Sequence, residues 1–200
     1  MVLGMGVTLP ALGAAVSLGL SGSASNNNLG LETSHNNAVA ANLNLDLSVY
    51  FRVGVTHRRS IDTGEGFKRL KDSAGAEQYV EFESQTRTIT NSVDLIVVLY
   101  NGVISPYVFG GVAKKEYSTS TSCAALCTEN PGSVTLFPVP NYGFGAGISL
   151  NKEFSLKISQ TYSPGVATVL ENGFPASEEG VLKTRYVRDS YTQIGISYHL

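Results

Sequence analysis

From Leu43 to Val55 every second residue is apolar: Leu43, Leu45, Leu47, Val49, Phe51, Val53 and Val55. Between them stand Asn44, Asp46, Ser48, Tyr50, Arg52 and Gly54. Successive side chains of a β-strand point to opposite faces, so this period makes a strand with one greasy and one polar side. The pattern recurs at Val16, Leu18 and Leu20, at Tyr142, Phe144, Ala146, Ile148 and Leu150, at Phe154, Leu156 and Ile158, and at Ile194, Ile196, Tyr198 and Leu200. No segment carries a helical stripe, and the chain is predicted to be all-β.

The spacing predicts strands near 13–22, 37–45, 48–60, 80–100, 105–118, 135–150, 154–163 and 183–200. Short connections fall around Asp46, at Asn101–Ile104 and at Asn151–Glu153. Long polar ones cover 23–36, 61–79, 119–134 and 164–182, and the two classes alternate strictly. In an up-and-down meander every second connection lies at the same end, so the long loops gather at one end and the tight turns at the other. The period runs unbroken through Asp46, and a turn is expected there because it makes the strand count even. Residues 1–200 are read as one domain.

An eight-stranded barrel can close with its apolar face inward around a core or outward toward lipid. Charged residues make up 15% of the chain, below the roughly 25% usual for soluble domains. Gly143, Gly145, Gly147 and Ser149 would make a weak exposed face, but they leave room in a crowded lumen. Aromatics on the apolar parity fall at two heights: Phe51, Tyr107, Phe154 and Tyr198 near the short turns, Tyr142 and Tyr162 toward the long loops. Two such bands suit the two interfaces of a bilayer. Lipid tolerates no open sheet edge, and closure removes it. A soluble barrel would instead bring Leu95, Phe144 and Ile196 together in a dry centre, with Asp94 in water.

The loop alternation, the run Ser105-Pro-Tyr-Val-Phe-Gly-Gly-Val-Ala113 after a tight turn, and the closing Tyr191-Thr-Gln-Ile-Gly-Ile-Ser-Tyr-His-Leu200 carry a resemblance. The chain resembles the small eight-stranded outer-membrane barrels of the OmpA transmembrane-domain type over nearly its whole length. The resemblance implies an antiparallel up-and-down transmembrane β-barrel with short periplasmic turns and long extracellular loops. It also implies residence in the bacterial outer membrane and contact with outer-membrane lipid, lipopolysaccharide and the insertion machinery. Such barrels usually end on an aromatic; here the chain ends on Leu200, with Tyr198 two residues earlier. The apolar N-terminus lacks a basic region, the first Lys or Arg being Arg52, so the chain is read as mature, with a starting Met in place of a signal.

With Val93, Leu95, Val97 and Leu99 toward lipid, Asp94 must face the lumen, because a charge at mid-bilayer costs several kcal/mol. Arg52, at a similar height on the neighbouring strand, is its expected partner. Lys157 and Asp189 are the matching pair on the last two strands, with Lys114, Tyr50, Tyr191 and Gln193 filling in. Ile96 and Val98 share the lumenal parity and predict a partly apolar lower lumen on that side. Buried charges need partners, so this network would plug the barrel.

Cys123 and Cys127, four positions apart, suit a local disulfide in an oxidising compartment, with two free thiols as the other reading. His35, His57 and His199 lie too far apart for one metal site, and no cofactor is expected. Arg58 and Arg59 suit lipid-headgroup phosphates at the outer rim. His57 and Ser60, with Glu65 beyond, are the one pairing toward a lipid-modifying enzyme, a lesser alternative to a plain basic rim. A net charge of −2 speaks against nucleic acid. Two functions remain: a structural or surface-recognition barrel acting on an extracellular ligand or surface through four loops, and a narrow conduit or binding barrel for a small molecule, an apolar one included.

Overall fold

The computed structural model describes residues 15–28, 32–71, 77–123, 132–171 and 181–200. They form one closed antiparallel barrel of eight strands in sequence order. The strands are β1 (Ala15–Asn28), β2 (Glu32–Asp46), β3 (Phe51–Lys71), β4 (Glu77–Val98), β5 (Ile104–Cys123), β6 (Gly132–Ser149), β7 (Phe154–Glu171) and β8 (Val181–His199).

The tight turns owe their form to short polar side chains that hold backbone amides. Ser48 Oγ accepts from the amides of Tyr50 (3.2 Å) and Phe51 (3.0 Å), which reverses the chain just past Asp46. Asn151 Oδ1 does the same for Glu153 (2.9 Å) and Phe154 (2.7 Å). Between β4 and β5, Ser105 Oγ accepts from the Gly102 amide at 3.3 Å and donates to the Gly102 carbonyl at 3.0 Å. Tyr50, expected in the lumen, instead sits in the first of these turns and is half exposed.

At the opposite end the strands run further than hydropathy predicts. Much of the expected loops 61–79 and 164–182 is ladder, with Lys71 opposite Glu77 and Glu171 opposite Val181. There apolar and polar residues cease to alternate: Asp62, Thr63, Gly64, Glu65 and Gly66 follow one another on β3, and Val169 and Leu170 are adjacent on β7, so the period of two is lost while the hydrogen-bond ladder continues. Where the expected loop 119–134 begins, Thr119 still pairs with Thr86 hydroxyl to hydroxyl at 3.1 Å.

The barrel is inside out relative to a soluble one. Buried side chains are mostly polar, among them Ser17, Asn44, Thr90, Ser92, Asp94, Lys115 and Asn141. Leu95, Phe144 and Ile196 are 48%, 56% and 54% exposed on the outer face. Phe154 and Tyr198 lie ring to ring at 5.1 Å near the short turns, and Tyr142 stacks on Tyr162 at 5.9 Å further up.

One strand departs from the expected parity. On β5, Tyr107 and Phe109 point inward, and Lys114 points outward to pair with Glu116 at 2.7 Å. The cause is size matching. Tyr107 lies opposite Gly145 and Phe109 opposite Gly143. A Cβ on Gly145 would come within 2.6 Å of the Tyr107 ring, so the bare inner face of β6 is what accommodates the rings. Tyr107 is therefore not part of the outer aromatic band, and Lys114 is not part of the lumen. Lys115 takes the inward place, 1% exposed, with Nζ donating to the Ser163 carbonyl at 3.1 Å.

The wall is complete only in its lower half. β6 pairs with β7 from Ser149–Ser155 up to Tyr142–Tyr162, and β8 pairs with β1 from Ser17–His199 up to Gly22–Ile194. Above these levels β7 and β8 continue as a ribbon paired only to each other among the described residues. Prolines explain one of the two partings. Pro138 and Pro140 on β6 and Pro164 on β7 have no amide hydrogen to give. Ser163 Oγ donates to the Pro140 carbonyl at 3.1 Å where the ladder stops, so Pro140 turns its donor-less nitrogen to β7 as well.

Candidate functional site: the barrel lumen

The inward residues form two chambers separated by a crossbar. In the lower chamber, Arg52 Nε lies 3.0 Å from Asp46 Oδ1, directly across the β2–β3 ladder. Asp94 has other partners. Ser92 Oγ donates to its Oδ2 at 2.7 Å and Asn141 Nδ2 to its Oδ1 at 2.7 Å. Asp94 is 6% exposed and stands opposite Gly111. A Cβ at Gly111 would lie 2.6 Å from Asp94 Oδ1, so this glycine leaves the carboxylate its space. The expected Arg52–Asp94 pair does not form, because a nearer carboxylate in register takes the guanidinium.

Lys157 enters the same chamber and donates to Ser197 Oγ at 3.1 Å. The amide of Asn44 reaches Ser17 Oγ at 3.3 Å, and Thr56 Oγ1 donates to Asn42 Oδ1 at 2.8 Å. Gln193 also lines this chamber. Ile96, Tyr107 and Phe109 make one wall apolar, and Val98, 2% exposed, lies inward below them. The space left is about 90 Å³. Asp189 stands opposite Ser163 in the β7–β8 ladder, while its side chain lies outside the described residues.

The crossbar is Arg58. Its guanidinium carbon lies 3.9 Å from the centroid of the Tyr191 ring, so the side chain reaches from β3 to β8. Its neighbours in register, Ala40 on β2 and Thr90 on β4, are small enough to let it pass. Arg58 is 5% exposed. The headgroup role expected for it is therefore incorrect: adjacent residues of a strand face opposite ways, and Arg58 takes the inner side and Arg59 the outer. The sequence signal for this lay in the parity of Arg52, Gly54 and Thr56, which Arg58 continues.

Outside the crossbar, Arg59 Nε donates to His57 Nε2 at 3.2 Å, which leaves Nδ1 to donate to Asn91 Oδ1 at 2.7 Å. His57 and Arg59 are exposed on the outer face, whereas Ser60 is 3% exposed on the inner one. A His57–Ser60 catalytic pair is excluded by this placement. Among the described residues no three His, Cys, Asp or Glu side chains cluster as a metal site. Cys127 and the side chain of Cys123 lie outside the described residues.

Above the crossbar a second chamber of about 390 Å³ opens, lined by Arg58, Tyr191, Asp62 and a set of hydroxyl and amide side chains. Gln160, Ser190 and Thr192, which face outward on β7 and β8, also border it. The chamber thus reaches the outer surface where β1 and β8 part.

The closed barrel has counterparts among solved structures. The outer membrane protein OprG from Pseudomonas aeruginosa superposes with a TM-score of 0.57 at 12% identity, over 94% of this chain and 95% of that one. The fold is that of the small outer-membrane β-barrels. The N-terminal β-barrel domain of Pseudomonas aeruginosa OprF matches with a TM-score of 0.49 at 14% identity, over 93% and 97% of the two chains. Ail, the attachment invasion locus protein of Yersinia pestis, in complex with sucrose octasulfate, matches with a TM-score of 0.49 at 11% identity, over 94% and 97%. No protein-family model and no curated protein sequence matches the chain.

Proposed function

We propose that the chain is an integral barrel of the bacterial outer membrane whose lumen is closed by side chains and whose long hairpins serve a structural or surface-recognition role. The observation that carries this reading is the Arg58–Tyr191 crossbar, lying across the lumen above a chamber filled by the Asp46–Arg52 and Ser92–Asp94–Asn141 groups. A cation over an aromatic face, shielded from bulk water, is held by about 2 kcal/mol or more. The exposed apolar belt would meet acyl chains, and Arg59 would meet lipopolysaccharide phosphates at the rim. The four hairpin ends opposite the tight turns would face the outside, where a ligand or surface could be bound. The reading is non-enzymatic, and the insertion machinery is its expected assembly partner.

The second reading, a conduit or binding barrel for a small molecule, draws on the apolar wall of Ile96, Tyr107 and Phe109 in the lower chamber. Single-channel recording in planar bilayers separates the two. The wild type should stay closed, and Arg58→Ala, alone or with Asp94→Ala, should open ion-conducting events. A steadily conducting, selective wild type would replace the sealed barrel with the conduit.

A further inference from the structure

On the outer face of β3, β4 and β5 the apolar belt ends in a graded series of cross-strand rows. Val55, Val93 and Val112 stand opposite one another, all exposed. The next row toward the long hairpins is His57, Asn91 and Lys114, then Arg59, Ile89 and Glu116, then Ile61, Arg87 and Ser118, then Thr63, Gln85 and Ser120. Arg59 and Arg87 are both exposed and sit diagonally on neighbouring strands. Such diagonal positions lie about 7–8 Å apart, close enough for two guanidiniums to reach one anion. Arg59 is held in place, its Nε donating to His57 Nε2 while His57 Nδ1 donates to Asn91 Oδ1. That bond uses Nε alone, so the two terminal nitrogens can serve an outside acceptor. Of the carboxylates on this face, Glu116 is engaged by Lys114 at 2.7 Å, and Glu65 and Glu83 face each other two rows above Arg87.

A phosphate monoester carries a charge of about −1.5 to −2 at neutral pH and three strong acceptor oxygens, and arginines engage it through paired N–H groups. A phosphodiester carries one charge and has fewer free oxygens. The rows on either side of the arginines complete the fit: valines below for acyl chains, and neutral hydroxyls and an amide above for a sugar. We infer that this face of β3–β5 holds one molecule of a phosphorylated glycolipid of the lipid A class, its phosphate between Arg59 and Arg87 and its acyl chains along the Val55–Val93–Val112 side. The opposite wall differs: among the described side chains, the outward residues Tyr142, Gln160, Tyr162 and Thr192 at the top of its belt are neutral. The inference rests on the lipid-facing belt of the outer-membrane reading and deepens it, replacing a diffuse contact at the rim with a single site of defined stoichiometry.

Native mass spectrometry of the full chain, folded in neutral detergent and titrated with diphosphorylated lipid A, tests this. Dephosphorylated lipid A and phosphatidylglycerol are the comparison lipids. Lipid A should be retained at one molecule per barrel and bind at least about tenfold more tightly than either comparison lipid. Arg59→Gln and Arg87→Gln should each weaken it by about fivefold or more. Lys152→Gln, which removes an exposed cation at the tight-turn end, should leave it unchanged. Inorganic phosphate at millimolar concentration should not displace the lipid. Equal binding of phosphatidylglycerol or of dephosphorylated lipid A would overturn the site. So would displacement by inorganic phosphate, or a loss in Lys152→Gln as large as in the arginine variants. If an arginine variant does not fold, the comparison of probes on the wild type still decides. Insertion into vesicles, scored separately by heat-modifiable gel mobility, tests the outer-membrane reading itself: an inserted barrel with no preference for lipid A sinks the site alone.

Discussion

Asp94 is the buried carboxylate whose partners the structure reassigns, and a double-mutant cycle puts numbers on that reassignment. Its two hydrogen bonds, from Ser92 Oγ and Asn141 Nδ2, are both 2.7 Å long. Bonds to a charged group contribute about 1.5–3 kcal/mol each, so Asp94→Ala removes roughly 3–6 kcal/mol of gross interaction. The variant also escapes the several kcal/mol that desolvating a carboxylate costs. A net loss of about 2 kcal/mol is expected, mostly from the stranded Asn141 amide. Asp94→Asn keeps an acceptor for Asn141 and should stay within about 1 kcal/mol of wild type. The decisive quantity is the coupling. Asp94→Ala combined with Asn141→Ala should show an interaction of about 1.5–3 kcal/mol. Combined with Arg52→Ala it should be additive within about 0.5 kcal/mol, because Arg52 is held by Asp46. Urea unfolding in lipid vesicles, followed by circular dichroism and by gel mobility, supplies the free energies. Coupling of Asp94 to Arg52 above about 1 kcal/mol, with none to Asn141, would refute the assignment of partners.

Three further outcomes follow from the geometry. Leu95→Arg places a charge on the outer belt and should destabilise the vesicle-embedded barrel by about 2–4 kcal/mol; a cost near zero in the same unfolding assay would show that this face meets water. Gly145→Ala drives a methyl group to 2.6 Å from the Tyr107 ring and 2.5 Å from the Ile158 carbonyl, and should cost about 1–3 kcal/mol by urea unfolding, with part of it recovered by Tyr107→Ala. Ser163→Ala removes the donor to the Pro140 carbonyl and should cost about 0.5–1.5 kcal/mol, with faster amide hydrogen exchange confined to the upper β7–β8 ribbon; an exchange pattern equal to wild type would mean the ribbon is held elsewhere.

The errors of sequence reading have definite causes. β5 carries apolar side chains on both faces, Tyr107 and Phe109 on one and Val108 and Val112 on the other, so hydropathy could not tell its inner side. The glycines of β6 decide it, and they act only through the cross-strand register. Arg58 and Arg59 look alike as a basic pair, yet strand geometry separates them as soon as the parity of Arg52 is carried forward. In the upper hairpins apolar and polar residues cease to alternate, as at Asp62–Gly66 on β3 and Val169 and Leu170 on β7, so hydropathy predicts loops where the ladder persists.

The order of residues alone settled that this chain makes strands, where its tight turns fall, and which side of most strands is greasy, because a period of two and a turn-forming Ser48 or Asn151 act over a few positions. Which lumenal charges meet was decided by closure. Asp46 outcompetes Asp94 for Arg52, and Arg58 finds Tyr191 on β8, through distances that register and barrel curvature set and that no local pattern encodes.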